Sequence, residues 1–176
     1  IHCISLPSMG LEDSPAETGL SFVENALIKA RFVSGRCKKP ALADDSGLVV
    51  PYLHGAPGIF SSRFAGNGAR DEDNVALLLE RLHEAQGSAR LAYFYSAIVL
   101  VQHAEDPMPL IACGQWSGTI AEAPRGKGGF GYDPIFYLPS HHCTVAELPA
   151  DIKNTISHRA KALRLLQQTL DGVAHA

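Results

Sequence analysis

Two long β-type stretches separated by one turn signal set the strongest constraint on this chain: RLAYFYSAIVLVQH at residues 90–103 and PLIACGQWSGTIA at 109–121. Both are dense in aromatic and β-branched residues, and the AEDP between them supplies the reversal. Together they predict an antiparallel hairpin in the middle of the chain. Two strands alone are marginally stable in water, so the flanking segments must supply its packing partners.

Those segments alternate. Residues 1–20 carry Pro7, Gly10, Pro15 and Gly19 and read as an irregular lead-in. From Ser21, the Ser-x-x-Glu pattern of a capping box opens a helix that places Phe22, Val23, Ala26, Leu27, Ala30 and Val33 on one face. Pro40 breaks it, and the apolar run ALADDSGLVV at 41–50 reads as a buried strand. HGAPGIFSSRFAGNGA at 54–69 is a long, Gly- and Ser-rich loop of the kind that carries function. A second helix follows in DEDNVALLLERLHEA, acidic at its N-terminal end. A glycine-rich loop then leads through RGKGGFGYDPIFYLP into a short strand, and TISHRAKALRLLQQTL forms a C-terminal helix with Leu163, Leu166 and Leu170 inward. This order predicts an α/β or α+β fold: a mixed, twisted sheet flanked by helices. With 176 residues and 46% hydrophobic content, one domain is expected.

A net charge of −3 gives no basic footprint for nucleic acid, and the apolar runs are too short to span a bilayer, so no nucleic-acid or membrane partner is expected. Cys3, Cys37, Cys113 and Cys143 are scattered without a C-x-x-C pair. They read as reduced thiols of a cytoplasmic protein.

The chemistry begins at Asp44 and Asp45, two adjacent carboxylates inside an apolar strand. Each would cost several kcal/mol if buried without a partner. Successive strand residues point to opposite faces, so only one of the two can look into a given cleft. Capping of the strand end by the Asp-Asp-Ser-Gly turn is the plainer reading; a hard divalent cation, with Glu17 as a further acid, is the functional one. Gly126–Gly131 satisfies G-x-G-x-x-G literally, but the following Tyr132-Asp133-Pro134 cannot open the helix that a dinucleotide fold requires, and Lys127 lacks Walker spacing. What survives is a backbone able to approach a ligand closely, with Phe130 as a ring that can stack. No histidine pair has zinc spacing, and His141-His142-Cys143 reads as a solvated loop. His158 and Arg159 stand where the last helix begins, with Ser157 as its N-cap.

Five segments in order, ETGLSFVENALIKA (17–30), ALADDSGL (41–48), GAPGIFSSRFAG (55–66), GGFGYDPIF (128–136) and KNTISHRAKAL (153–163), resemble the inosine triphosphate pyrophosphatase family, the Ham1-like house-cleaning pyrophosphatases of non-canonical purine nucleotides, in its bacterial form. The resemblance implies a two-lobed fold with the active site in a cleft, a homodimer, Mg²⁺ as cofactor, and hydrolysis of ITP, dITP, XTP and dXTP to monophosphate and pyrophosphate. It implies that Asp45 is the general base, that Glu17, Asp44 and Asp45 hold Mg²⁺, and that Lys29 and Lys153 contact phosphate. Ser46 matches a substrate contact, Phe130, Gly131, Tyr132 and Asp133 the segment enclosing the nucleoside, and His158 and Arg159 the pair that meets the base. A nucleotide-binding module without turnover and a pyrophosphatase for modified pyrimidine nucleotides are the alternatives. The family's N-terminal Ser/Thr-Gly-Asn-x-x-Lys phosphate loop has no match here. A strand, loop and helix would need roughly 20 to 25 residues upstream of Ile1, so the natural product is expected to be longer.

Overall fold

A computed structural model describes residues 3–10 and 13–174. Positions 1, 2, 11 and 12 of the expected lead-in lie outside the described residues. In chain order the elements are α1 (Phe22–Cys37), β1 (Ala41–Val49), α2 (Asp71–Arg81), β2 (Leu91–Val101), β3 (Leu110–Ile120), β4 (Phe136–Leu138), β5 (Cys143–Thr144), α3 (Ala150–Ile156) and α4 (His158–Ala174).

The predicted hairpin is present: β2 and β3 pair antiparallel from Leu91 opposite Thr119 to Leu100 opposite Leu110. The strands lie in the order β1-β2-β3-β4-β5, and every pairing among the described residues is antiparallel. This corrects the expectation of a mixed sheet. The connection through residues 50–90 returns the chain to the end where β1 stopped, with Val49 opposite Tyr93, so β2 starts beside the finish of β1 and runs back along it.

Helix α1 begins as its cap predicts, with Glu24 N donating to Ser21 Oγ at 3.2 Å and Leu20 N donating to Glu24 Oε2 at 2.6 Å. It ends at Lys38 in the left-handed region (φ 53°), ahead of Pro40. Its Ala26 and Ala30 are fully buried against Ala97 and Val99 on one sheet face. On the other face, Ala162 and Leu166 of α4 pack on Ile98 and Ala112. Contact there is close because Gly114 has no side chain: a Cβ would collide with the His158 carbonyl oxygen and lie 2.7 Å from Ala162 N. The largest cluster joins Leu48, Leu78, Leu82, Trp116 and Phe136, tying α2 to the sheet. Each such side chain contributes about 1.5–3 kcal/mol by leaving water.

A short helix, α3, precedes the expected C-terminal helix, α4. Ser157 is extended (ψ 166°) and separates α3 from α4, with Ala160 N donating to its Oγ at 3.3 Å, so it is the N-cap that its position predicted. Within α4 the inward row runs i, i+4, i+8 through Ala162, Leu166 and the half-buried Leu170, whereas Leu163 is 50% exposed, contrary to expectation. Ala162 occupies the contact over Gly114 instead. All four cysteines are free, and no helix among the described residues is long and apolar enough to cross a membrane.

Candidate active site

Strand β1 divides the candidate residues between two faces. Asp45 stands opposite Ala97 and looks toward α1, where Lys29 Nζ donates to Asp45 Oδ1 at 2.7 Å and to Glu17 Oε1 at 3.1 Å. Residue 29 reaches this point because it follows the buried Ala26 by one helical turn. The other Glu17 oxygen, Oε2, accepts Arg63 Nη1 at 2.9 Å. Arg63 closes the 3-10 turn Gly58–Arg63 in the Gly- and Ser-rich loop, which settles on the strand because a Cβ at Gly47 would collide with the Gly58 carbonyl.

The electrostatics of this cluster are uneven. Burial pushes Glu17 up, but the hydrogen bonds from Arg63 and Lys29 outweigh it and leave its carboxyl below the ordinary value. Asp45 goes the other way: burial raises it, Lys29 opposes, and the nearby Glu17 charge raises it again, so the net shift is upward. Lys29 itself is raised, since its two carboxylates overcome its desolvation. Lys29 therefore stays charged while Asp45 remains short of positive partners. The buried Asn25 amide lies beside Asp45 with its Nδ2 outside hydrogen-bonding geometry. Glu17 and Asp45 are hard oxygen donors of the type Mg²⁺ takes, one or two carboxylates with water and phosphate oxygens filling the shell, and here Lys29 and Arg63 balance their charge. No group of three or more acidic, histidine or cysteine side chains gathers for a metal among the described residues. Of the three expected acids, Glu17 and Asp45 share one cluster through Lys29, and Asp44 lies on the other face of the strand.

Asp44 is on the opposite face, toward α4. Its Oδ1 accepts Ser96 Oγ at 2.5 Å, its Oδ2 accepts Arg159 Nε at 2.8 Å, and Ser46 Oγ lies 2.8 Å from both oxygens. Burial pushes this carboxyl up, but Ser96 and Arg159 more than offset it, and it ends below the ordinary value.

On that face lies a cleft of about 960 Å³ that gathers Ser46, Phe130, Gly131, Tyr132, Asp133, Lys153, His158 and Arg159. Phe130 is 61% exposed with its ring toward two cations, Lys153 Nζ at 4.5 Å and the Arg159 guanidinium at 5.7 Å from the ring centroid. The loop beneath it is held by Asp133, only 2% exposed, which pairs with Lys153 Nζ and accepts Phe130 N at 3.0 Å. Gly129 (φ 75°) and Gly131 (φ 61°) both need the left-handed region, and Gly131 N donates to Asp71 Oδ2 at 2.6 Å, fixing the loop to the start of α2. Tyr132 turns inward and donates to the Ser61 carbonyl at 2.9 Å; burial raises its phenol.

His158 forms the floor. Its ring stacks on Phe94 at 4.9 Å and 14° and faces Trp116 at 6.5 Å and 23°. Desolvation, reinforced by Arg159, lowers its pKa to about 4, so the imidazole is neutral at physiological pH. Its Nδ1 is buried without a hydrogen-bond partner in the protein.

The structure thus brings the eight cleft residues together and places Glu17, Lys29 and Asp45 across β1 from Asp44. Sequence reasoning missed Arg63, Ser96, Phe94 and Trp116. Arg63 offered one signal, as the lone cation in the 54–69 loop; the others look like ordinary strand residues.

This geometry has relatives. A dITP/XTP pyrophosphatase of Legionella pneumophila (strain Paris) is 56% identical over 168 residues, covering 96% of this chain and 86% of that protein. One from Xanthomonas campestris pv. campestris (strain 8004) is 51% identical over 174 residues, covering 99% and 87%. Among solved structures, a HAM1 protein from Coxiella burnetii superposes with a TM-score of 0.85 at 51% identity, over 93% of this chain and 82% of that one. The Ham1 protein of Staphylococcus aureus gives 0.88 at 39% identity, over 97% and 87%. With residues 1–169 also matching the family as a whole, and with the same fold as these structures, the chain belongs to the Ham1 family.

Proposed function

We propose that this protein hydrolyses non-canonical purine nucleoside triphosphates, dITP, ITP, XTP and dXTP, to the monophosphate and pyrophosphate. The observation that carries the reading is the convergence of Phe130, Lys153, His158 and Arg159 on one cleft, with Asp45, Lys29 and Glu17 across the adjoining strand. The relatives named dITP/XTP pyrophosphatase support it.

In this reading Asp45 accepts the proton of the water that attacks the α-phosphorus. Lys29 and Lys153 contact phosphate oxygens, Lys153 exchanging its pairing with Asp133 for the substrate. Glu17 and Asp45 would hold Mg²⁺, which when bound supplies positive charge against the leaving pyrophosphate. The purine lies on Phe130, and the 6-keto oxygen of inosine or xanthosine accepts from Arg159, where the amino group of adenosine leaves a donor facing a donor. A polar pocket of this kind can discriminate by about 10⁴. The same reading carries a cytoplasmic homodimer, which sedimentation and cell fractionation of the full-length protein check.

The test is pyrophosphate release from ITP, XTP, GTP and ATP by the full-length protein with and without Mg²⁺, together with hydrolysis in ¹⁸O water. Fast turnover of ITP and XTP, slow turnover of ATP, and label in the monophosphate are expected. Equal turnover of ATP and ITP overturns the specificity, and label confined to pyrophosphate overturns attack at the α-phosphorus. ITP binding without hydrolysis overturns the enzyme in favour of a binding module.

A further inference from the structure

Asp44 lies behind Arg159, beneath the cleft wall. Its two oxygens are committed to three side chains from three elements: Ser46 on β1, Ser96 on β2 and Arg159 on α4. None of these belongs to the α1 face, where Glu17, Lys29 and Asp45 gather. Ser96 sits two residues before Ile98, the residue directly opposite Asp44, and so reaches it diagonally across the same sheet face. The carboxylate is therefore held by the sheet before it holds anything on the helix.

Arg159 gives up only Nε to Asp44; no acceptor among the described residues takes its two Nη groups. Its guanidinium carbon also lies 5.7 Å from the Phe130 ring centroid, so those groups are presented beside the aromatic surface expected to stack the base. An arginine on an exposed helix start is otherwise free to choose among many rotamers, and an undirected guanidinium could turn from an amino group to a neighbouring ring-nitrogen acceptor and so lose its preference for the keto edge. Fixing Nε fixes the plane, and with it the direction of the remaining N–H groups.

We propose that Asp44 is a positioning residue for base recognition: half-buried on β1 and anchored by Ser96, it orients Arg159 so that the Nη groups meet a 6-keto purine edge, and it takes no part in holding metal. This rests on the proposed function. It gives the two neighbouring carboxylates separate tasks, one at the phosphates and one at the base.

The experiment compares wild type, Asp44→Asn, Ser96→Ala, Arg159→Ala and the double variant Asp44→Asn with Arg159→Ala. Readouts are kcat and KM for ITP and ATP, the Mg²⁺ concentration at half activation, and calorimetric binding of IMP and AMP without divalent ions. Asp44→Asn is expected to lower the ITP-to-ATP ratio of kcat/KM at least ~10-fold, mainly through KM for ITP, and to narrow the IMP-to-AMP affinity gap in parallel. Half activation by Mg²⁺ stays within about twofold of wild type, since a ligand loss would move it far more. Ser96→Ala moves the ratios the same way by less, and decides the matter should Asp44→Asn not fold. The double variant discriminates no worse than Arg159→Ala alone.

Unchanged ratios, a shifted Mg²⁺ requirement, or additive losses in the double variant overturn the proposal. A wild type that prefers ITP while Asp44→Asn and Ser96→Ala prefer it equally removes this inference alone. A wild type without preference removes the proposed function and the inference with it.

Discussion

Asp44 and Asp45, joined by one peptide bond, face opposite sides of β1: Asp44 Oδ2 accepts Arg159 Nε at 2.8 Å, and Asp45 Oδ1 accepts Lys29 Nζ at 2.7 Å. A single strand thereby supplies both sides of the site, and the 3.3–3.4 Å rise per residue fixes their spacing more firmly than two loops could.

Asp45→Asn keeps the shape of the side chain and removes its basicity. Turnover of ITP is expected to fall by ~10²–10⁴, the usual contribution of a positioned base. Affinity for IMP, which needs no proton transfer, changes little. Pyrophosphate release and calorimetry read the two quantities, and turnover within tenfold of wild type removes Asp45 from the role.

His158 reports its burial through pH. Its pKa falls from 6.5 to about 4 on folding, first because the ring is desolvated between Phe94 and Trp116, then because Arg159 and the more distant Lys153 and Lys161 repel a proton that Asp44 alone favours. The unfolded chain therefore takes up a proton first as pH drops. The stabilisation is complete above pH 6.5, shrinks as pH falls from there toward 4, and amounts to on the order of 3 kcal/mol. Urea unfolding of wild type and His158→Gln at pH 7.5 and pH 5 checks the sign: wild type loses more stability over that interval. NMR should show the His158 ring still neutral at pH 5.5.

Gly114→Ala and Gly172→Ala are expected to act in opposite directions. A methyl group at 114 meets the backbone of α4, which must lift from the sheet at a cost of about 1–3 kcal/mol. At 172 nothing lies within 4 Å, and alanine within α4 is favoured over glycine by about 0.5–1 kcal/mol. Denaturant midpoints measure both. Because His158 and Arg159 open α4, the first change should also weaken IMP binding.

Phe130→Ala should raise KM for ITP by more than ~5-fold, the effect of losing one aromatic stack of about 1–3 kcal/mol, and leave the unfolding midpoint nearly unchanged because the ring is mostly exposed. A fall in stability with KM unaltered would show that the ring supports the loop rather than the ligand.

Local chemistry was legible from the residues. The Ser21 cap, the hairpin and the opposed aspartates follow from patterns that repeat within a few positions. Partnerships between distant residues were not: Arg63 meets Glu17 across 46 positions and Arg159 meets Asp44 across 115. No periodicity encodes such pairs, because they depend on how the whole sheet is stacked. The antiparallel β1–β2 pairing was hidden for the same reason, since the direction of a strand is set by where a forty-residue connection returns. Leu163 misled because leucines at 163, 166 and 170 fit a helical stripe as well as the row 162, 166 and 170 does, and the small Ala162 takes the place over Gly114. The restart at Ser157, by contrast, was marked by its cap.

That restart has a consequence for the cations above Phe130. In an uninterrupted helix of 3.6 residues per turn, positions 153 and 159 would point roughly 120° apart and stand about 9 Å from each other along the axis. Bending the rod at Ser157 lets both lean over one aromatic plane. In the proposed function the joint therefore works as a set square between phosphate grip and base reading, and a change in its angle would retune which nucleotide fits without altering any residue that touches it.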